Sequence, residues 1–400
     1  MSSSTAVVPR LHPASALVAT GAACGTAWAA GLRGWMIQMA GGQSTTFTWY
    51  GTFGLLIGPG AVVGAAFGYA EYRRRTGGVP SRWLTLTPLA FLSALTVPWI
   101  FRALITSGQG GGAIGVTLFG LAGGHALSGR GRPWARRASG VAAVVGVLLM
   151  AVMAGESAPL GTARGAWVSL YASSLMAVLC LACAVPHRIG QSTALPAWAA
   201  VAIGALVGLA WSATLRAFMW EVAGDAARAD AVGTLAFVLL PGAVIGAVLS
   251  GVEWQRRRGP LRHRRWVVWT PMLFAAVLLQ NPADLIGGFA GGVGLAAVAV
   301  PGLCMIGGYG LSGHGPRPLR AVCILVLIAA VPAWALTATT VGGPGMSLTT
   351  PHGAWGAVLY WSLLVTFSIA AGLPHRTAAA AAREERPIAA AGHASPRTAG

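Results

Sequence analysis

The sequence predicts an all-α membrane protein with about twelve transmembrane helices, built as two parallel six-helix repeats. Of its 400 residues, 55% are hydrophobic and only 9% are charged. A soluble domain carries about 25% charged residues, so this chain has too little charge to cover a large surface in water. Its mean hydropathy is +0.67, and many apolar runs reach the roughly 20 residues that cross a bilayer core.

Twelve apolar segments are candidate spans. In the first half they cover roughly 14–40, 47–71, 83–105, 110–129, 138–155 and 165–185. In the second half they cover roughly 197–223, 231–254, 266–285, 287–312, 320–340 and 353–373. The run from Ala14 lacks a clear cleavage site, which favours a first span over a removed signal peptide.

These spans divide the chain into four parts. We expect a cytoplasmic N-terminal segment (1–13), a first repeat (14–188), a second repeat (189–376) and a disordered cytoplasmic tail (377–400). The tail is rich in Ala, Arg and Pro, a composition that buries too little apolar surface to fold.

The formal net charge of +18 comes from 27 basic residues, all of them Arg. Such a charge also occurs in nucleic-acid-binding proteins, but here the Arg residues form short clusters between apolar runs. Only five lie on the opposite side or at its helix ends: Arg33, Arg102, Arg164, Arg216 and Arg228. The Arg-rich side should be cytoplasmic, with both termini on it, and we expect the lipid bilayer as partner and no nucleic acid.

The use of Arg without Lys, together with abundant Ala, Gly and Pro, indicates a GC-rich bacterial gene. We therefore expect a multi-pass protein of the bacterial cell membrane. The five Cys residues fall in apolar runs, which favours small buried side chains over metal ligands. We expect no metal and no other cofactor.

The two halves share six blocks in the same order. The offset between matched residues starts near 183 and drifts to 188, as small loop insertions would cause. The matches are GTAWAAGLRGWM (25–36) with GLAWSATLRAFM (208–219), 58–75 with 240–258, 81–91 with 264–274, 123–131 with 307–315, RGAW (164–167) with HGAW (352–355), and VPHR (185–188) with LPHR (373–376). Six spans per repeat is an even number, so the repeats should be parallel, related by a pseudo-two-fold axis along the membrane normal.

Small residues recur every four positions on the second and eighth spans. Gly60, Gly64 and Gly68 match Gly242, Gly246 and Ser250, listed here in order. Such a stripe permits close backbone approach. Tight packing is the favoured interpretation, and a sliding surface is the functional alternative.

Matched acids, Glu71 and Glu253, lie at the Arg-rich ends of these spans, and each is followed by an aromatic residue and an Arg run. With Arg73 and Arg256 they form a candidate cytoplasmic latch between helices. The alternative is a local surface ion pair, which contributes little.

This block resembles the loop after the second helix of the major facilitator superfamily, with Gly68, Glu71, Arg73 and Arg74 in similar places. The acid stands one position closer to the Gly, and the later Gly before the Arg pair is missing. The resemblance implies a twelve-helix transporter of two halves and implies no substrate.

Arg33 and Arg216 occupy matched positions in the first and seventh spans. A charge in the hydrocarbon region is costly and commonly faces a partner or a water-filled cavity. Both residues are therefore candidates for an outward-facing site for an anion or polar substrate. The alternative is that they snorkel to the interface or pair structurally.

Three charges break the symmetry of the halves: Arg102, Glu221 and Asp284. Arg102 and Asp284 lie near equivalent positions, which suits a salt bridge across the central interface. Glu221 is too far round its helix from Arg216 to pair with it. If transport is coupled to protons, Glu221 and Asp284 are the candidate acids.

Three functions fit these features unequally. The leading one is a secondary transporter or exporter of a small organic solute, driven by a proton or ion, in which two six-helix bundles rock around a central cleft. The alternative is a non-transporting scaffold or regulatory partner, which the few deep acids and short loops also fit. A membrane enzyme acting on lipid or isoprenoid substrates lacks a supporting motif, and no P-loop indicates ATP hydrolysis.

Overall fold

The computed structural model describes residues 13–40, 46–107, 111–189, 195–223, 230–259, 261, 264–279 and 293–376. These residues form helices, turns and loops, without a strand among them. The α-helices are α1 Pro13–Met39, α2 Gly58–Arg75, α3 Arg82–Leu86, α4 Pro98–Ser107, α5 Gly111–Ala126, α6 Pro133–Ser157, α7 Ala163–Cys183, α8 Ala197–Ala223, α9 Leu240–Arg256, α10 Arg264–Val267, α11 Val293–Leu311, α12 Arg317–Gly342 and α13 Pro351–Ala371.

Eight helical segments among the described residues are long and apolar enough to cross a membrane. They are 14–39, 49–75, 133–155, 163–188, 197–223, 232–256, 317–342 and 351–375. A bent pair of helices adds a ninth if it forms one span. The prediction of an all-helical, multi-pass membrane protein is confirmed. The predicted tail, the junction of the ninth and tenth spans and most of the N-terminal segment lie outside the described residues.

The predicted third span, 83–105, is broken. The chain runs through α3 into a 3₁₀ helix, Thr87–Thr96, and then turns by 92° into α4. Val97 is extended, with φ −85° and ψ 118°, because the residue before a proline is pushed out of the helical region. Pro98 thus accounts for the break.

The second and eighth spans both begin as π-helices, Trp49–Ile57 and Val232–Leu239. Each ends where the N–H of the residue before a proline bonds five residues back, Gly58 to Phe53 and Leu240 to Leu235. Pro59 and Pro241 follow. A proline ring clashes with the carbonyl four residues before it, and a wider turn relieves that clash. π-helical turns are rare and frequently lie at functional sites.

Helices α1 and α2 touch through their backbones. A Cβ atom added at Gly64 would overlap the carbonyl oxygen of Gly21, and one at Gly25 would overlap that of Gly60. The same arrangement joins α8 and α9 through the four glycines 204, 208, 242 and 246. The small-residue stripes are therefore tight packing faces, as the sequence favoured.

The first and last long helices of each half, α1, α7, α8 and α13, meet in the middle of the molecule. We call this contact the central seam. Trp167 and Trp355 are fully buried there. The Trp167 indole N–H donates to the Ala213 carbonyl at 3.3 Å, and the Trp355 indole N–H donates to the Ala30 carbonyl at 3.1 Å. Each half thus donates one indole hydrogen bond to the other.

Candidate functional site

A cavity of about 380 Å³ lies within the first half. Its walls come from α1, the π-helix Trp49–Ile57 with the residues before it, the 3₁₀ helix Thr87–Thr96, and helices α4, α5 and α6. The lining side chains are mainly aliphatic, aromatic and Met. This volume lies in the range of roughly 300–1,000 Å³ that is typical of small-molecule sites.

Among the described residues, Arg33 is the one charged residue in the wall of this cavity. Its side chain is buried, with 8% of the residue exposed. The guanidinium donates to the Thr46 carbonyl at 3.1 Å and lies 4.4 Å from the centre of the Phe47 ring. No described carboxylate lies within salt-bridge distance of it. A guanidinium has five N–H donors, so Arg33 keeps capacity to bind an anion.

Trp35 lies in the same wall and is also buried, at 7% exposed. Its indole N–H has no hydrogen-bond partner among the described residues. Buried tryptophan N–H groups usually find a partner, so this donor is an unused polar group behind the cavity wall. Thr52, on the π-helix, adds a buried hydroxyl.

Arg216, the residue matched to Arg33, has different surroundings. It is 3% exposed, and its Nε donates to the Thr234 hydroxyl at 3.3 Å. Its guanidinium lies 5.2 Å from the Trp167 ring and 5.7 Å from the Trp220 ring. Thr234 is the counterpart of Thr52 when the match of 58–75 with 240–258 is extended six residues upstream. In the second half, Arg216 and Thr234 are hydrogen-bonded to each other. In the first half, Arg33 and Thr52 both line the cavity.

Glu221 lies at the end of the central seam in a group of four polar residues, which we call the Glu221 cluster. Its carboxylate accepts from Gln38 Nε2 at 3.3 Å, and His352 Nε2 lies 3.3 Å from its other oxygen. Arg164 donates to the Gln38 carbonyl at 3.2 Å. The four residues come from α1, α7, α8 and α13. This is a charged contact between the halves.

Phe47 connects the cavity to this cluster. One ring contact joins it to Arg33, and its ring centre lies 4.4 Å from that of His352, at 20° between planes. Only two side chains, Phe47 and His352, therefore separate Arg33 from Glu221.

The proposed latch residues mostly form ion pairs within their own helices. Glu71 pairs with Arg74 at 2.6 Å and with Arg75 at 2.8 Å. Arg73 instead donates to the Val79 carbonyl. Glu253 pairs with Arg256 at 2.7 Å and with Arg257 at 2.8 Å. These contacts are local ion pairs, the alternative to a latch, and a latching role stays a prediction.

Arg102 lies exposed on α4. Its predicted partner, Asp284, lies outside the described residues, so the salt bridge stays a prediction. The structure therefore brings Arg33 and Glu221 into one connected region, places Arg216 beside it in the seam, and leaves Arg102 apart.

No group of three or more His, Cys, Asp or Glu side chains within the described ranges is placed to hold a metal ion. Cys180 and Cys183 stand at C-x-x-C spacing on α7, and both thiols are free and buried against α5.

Sequence reasoning missed Trp35, Gln38 and His352 as site residues. Trp35 lies near the end of its predicted span, where tryptophan is typical of the interfacial aromatic belt. The signal for His352 was present in the match of RGAW with HGAW, where Arg164 and His352 are the one position that differs.

Comparison of the chain with protein-family models, with curated proteins and with solved structures finds no match.

Proposed function

We propose that this protein is a secondary transporter of a small organic solute, and that the solute binds in the first-half cavity. The observation that carries the proposal is Arg33, a buried guanidinium that lines an apolar cavity and has no described carboxylate beside it. Burying a charge without an adjacent counter-ion is costly, and a bound anion would offset that cost.

We also propose twelve spans in two parallel repeats, with both termini in the cytoplasm of a bacterial cell. Matched contacts support the repeat. Trp28 donates to the Leu175 carbonyl, and its counterpart Trp211 donates to the Leu363 carbonyl. Arg136 donates to the Ala126 carbonyl, and Arg320 donates to that of Gly310.

Proton coupling is part of the proposal. His352 carries charge only when protonated, and it faces the Glu221 carboxylate. The Phe47 contacts place this pair next to Arg33. Protonation of the Glu221 cluster would therefore change the electrostatics of the solute site. Of the two candidate acids named from the sequence, Glu221 and Asp284, we choose Glu221.

A scaffold or regulatory partner is the second candidate, and the central seam favours it. Trp167, Trp355, Ala213 and Ala30 are buried without measurable exposure, and interiors packed in this way resist sliding.

A rocking motion about this seam would break both indole hydrogen bonds. We therefore place the moving parts within the first half, where the chain is broken at Pro98.

Proteoliposomes containing the full chain test the proposal. We expect a panel of labelled organic anions to include a solute that accumulates under an imposed proton gradient. Arg33→Gln should lower that flux at least tenfold with insertion unchanged. Glu221→Gln should remove its dependence on the gradient while exchange continues. No flux for the entire panel, together with co-purification of a stoichiometric partner, would favour the scaffold.

A further inference from the structure

The cavity in the first half has the chemistry of a carboxylate site with an apolar body pocket. We infer that it binds an organic monoanion with an aromatic or branched apolar body. This inference rests on the proposed function for its choice of site. It is tested apart from transport, because binding and flux are measured separately.

The charge of the site selects the class of ligand. In the part of the lining that the structure describes, Arg33 contributes the one charge and there is no acid. Its planar fork of donors suits a carboxylate, which it can bind through two parallel hydrogen bonds. A cation would meet a buried positive charge with no described carboxylate in the lining to pair with, so organic amines should be excluded.

The unused donor of Trp35 supports the same assignment. Its buried indole N–H has no partner among the described residues, although it lines the cavity. The N–H itself is closed off from the cavity, so a bound acceptor reaches it only if the Trp35 ring turns. Arg33 and Trp35 together offer donors only, as a carboxylate requires.

The other side chains of the cavity wall determine what kind of ligand body fits. They include Phe91 from the 3₁₀ helix, Val116 from α5 and Met150 with Met153 from α6. Met side chains are flexible and polarizable, and they contact aromatic rings favourably. Such a wall accepts an apolar body and offers no partner to a second charge, so dicarboxylates and phosphates should bind weakly.

The second half provides a built-in comparison. Arg216 bonds to Thr234 and packs over Trp167 and Trp220, outside the lining of the first-half cavity. We therefore infer that the ligand binds at Arg33 and not at Arg216, although the sequence presents the two residues as equivalent.

Calorimetric titration of the purified full chain in detergent tests the inference, with micelles alone as the blank. The probes are benzoate, 1-naphthoate and 4-phenylbutyrate, and 4-phenylbutyramide and 4-phenylbutylamine are the neutral and cationic matches. We expect saturable 1:1 binding of at least one acid. The amide should bind its site at least tenfold more weakly than 4-phenylbutyrate, and the amine should not bind.

Variants locate the site. Arg33→Gln should weaken binding of the acid at least tenfold, Arg33→Lys should recover part of that loss, and Trp35→Phe should give a smaller loss. If Arg33→Gln does not fold, Ala113→Leu is the second test. It narrows the cavity without touching the charge, and it should weaken binding. Arg216→Gln should bind as the unchanged protein does.

Four results would overturn the inference: no saturable binding of any of the three acids, equal affinity for acid and amide, full affinity in a folded Arg33→Gln variant, or equal losses for Arg33→Gln and Arg216→Gln. Binding without flux would refute transport and leave this site standing. Flux of a neutral or cationic solute without acid binding would do the opposite.

Discussion

Single residues decide how the two halves hold together. Trp355 is fully buried in the central seam and donates one hydrogen bond across it. A phenyl ring in its place keeps most of the apolar contact but loses that bond and leaves a small void. Both changes act on the contact between halves.

We therefore expect Trp355→Phe to lower the free energy of unfolding by about 1–2 kcal/mol. Thermal denaturation of the purified protein, followed by circular dichroism, measures the change. The matched control is Trp198→Phe, because Trp198 is 74% exposed on α8. Equal melting temperatures for the two variants would contradict the role we assign to the seam.

The two matched acids should respond differently to the same change. Glu71 pairs with Arg74 and Arg75, whose side chains are 29% and 33% exposed, whereas the Arg256 side chain beside Glu253 is 4% exposed. Removing a carboxylate from a buried Arg costs more than removing it from a hydrated one.

Glu71→Gln should thus cost less than about 1 kcal/mol, and Glu253→Gln should cost about 1–2 kcal/mol more. Denaturation of the two variants side by side gives the difference. A larger loss for Glu71→Gln would indicate a contact of Glu71 beyond its own helix, as a latch requires.

At this scale the sequence could rank residues but could not orient them. Arg33 and Arg216 are equivalent in the sequence match, yet one lines a cavity and the other closes onto Thr234. The difference depends on which neighbour each guanidinium reaches, and no pattern within one helix contains that information. Glu221 was correctly separated from Arg216, but its partners come from α1 and α13.

Among the elements, the helix pairs α1–α2 and α8–α9 have the strictest requirement on their sequence. Their backbones touch at glycines, so even one methyl group has no space. The blocking atoms belong to the backbone of the partner helix, and such atoms cannot rotate away.

We expect Gly64→Ala and Gly246→Ala each to destabilise the fold by at least about 2 kcal/mol. The yield of monodisperse protein and its melting temperature are the measurements. Gly302→Ala on α11 is the control, because a Cβ there meets nothing within 4 Å, and alanine favours a helix. Tolerance of alanine at Gly64 would contradict the close packing.

Most element positions follow from apolar length, and α8 covers 197–223 as predicted. The break at Pro98 was not predicted, although Pro98 was visible in the sequence. A proline within an apolar run is compatible with a kinked span or a sharp turn, and neighbouring elements decide between them. The π-helices were not predicted for a similar reason. A proline in the sequence marks where each one ends, but it does not show how the chain relieves the clash between the proline ring and the preceding turn.

For the molecule as a whole, composition predicted the all-helical membrane fold, because 9% charged residues cannot cover a soluble surface. Orientation rests on the Arg clusters alone. Thr76, after α2, lies at an Arg-rich end, and Gly161, between α6 and α7, lies at the opposite end. Both positions are exposed.

In a background whose five native Cys are replaced, we expect Gly161→Cys to react with a membrane-impermeant maleimide on intact cells. Thr76→Cys should react only after the cells are opened. Labelling of Thr76→Cys from outside would invert the proposed orientation. Equal labelling of both would require an even number of crossings between them, as when the bent segment 82–106 enters the bilayer without crossing it.

The central seam also bears on the covalent continuity of the chain. The crossed indole hydrogen bonds and the Glu221 cluster are made by side chains of both halves, and none of them depends on the peptide that links α7 to α8. A gene cut between codons 190 and 195 should therefore yield two polypeptides that recognise each other in the bilayer. Their association would be measured by co-purification through a tag on one polypeptide, and Trp167→Phe combined with Trp355→Phe should weaken it. In evolutionary terms, such a seam would let each half accumulate changes of its own while the pair stayed together.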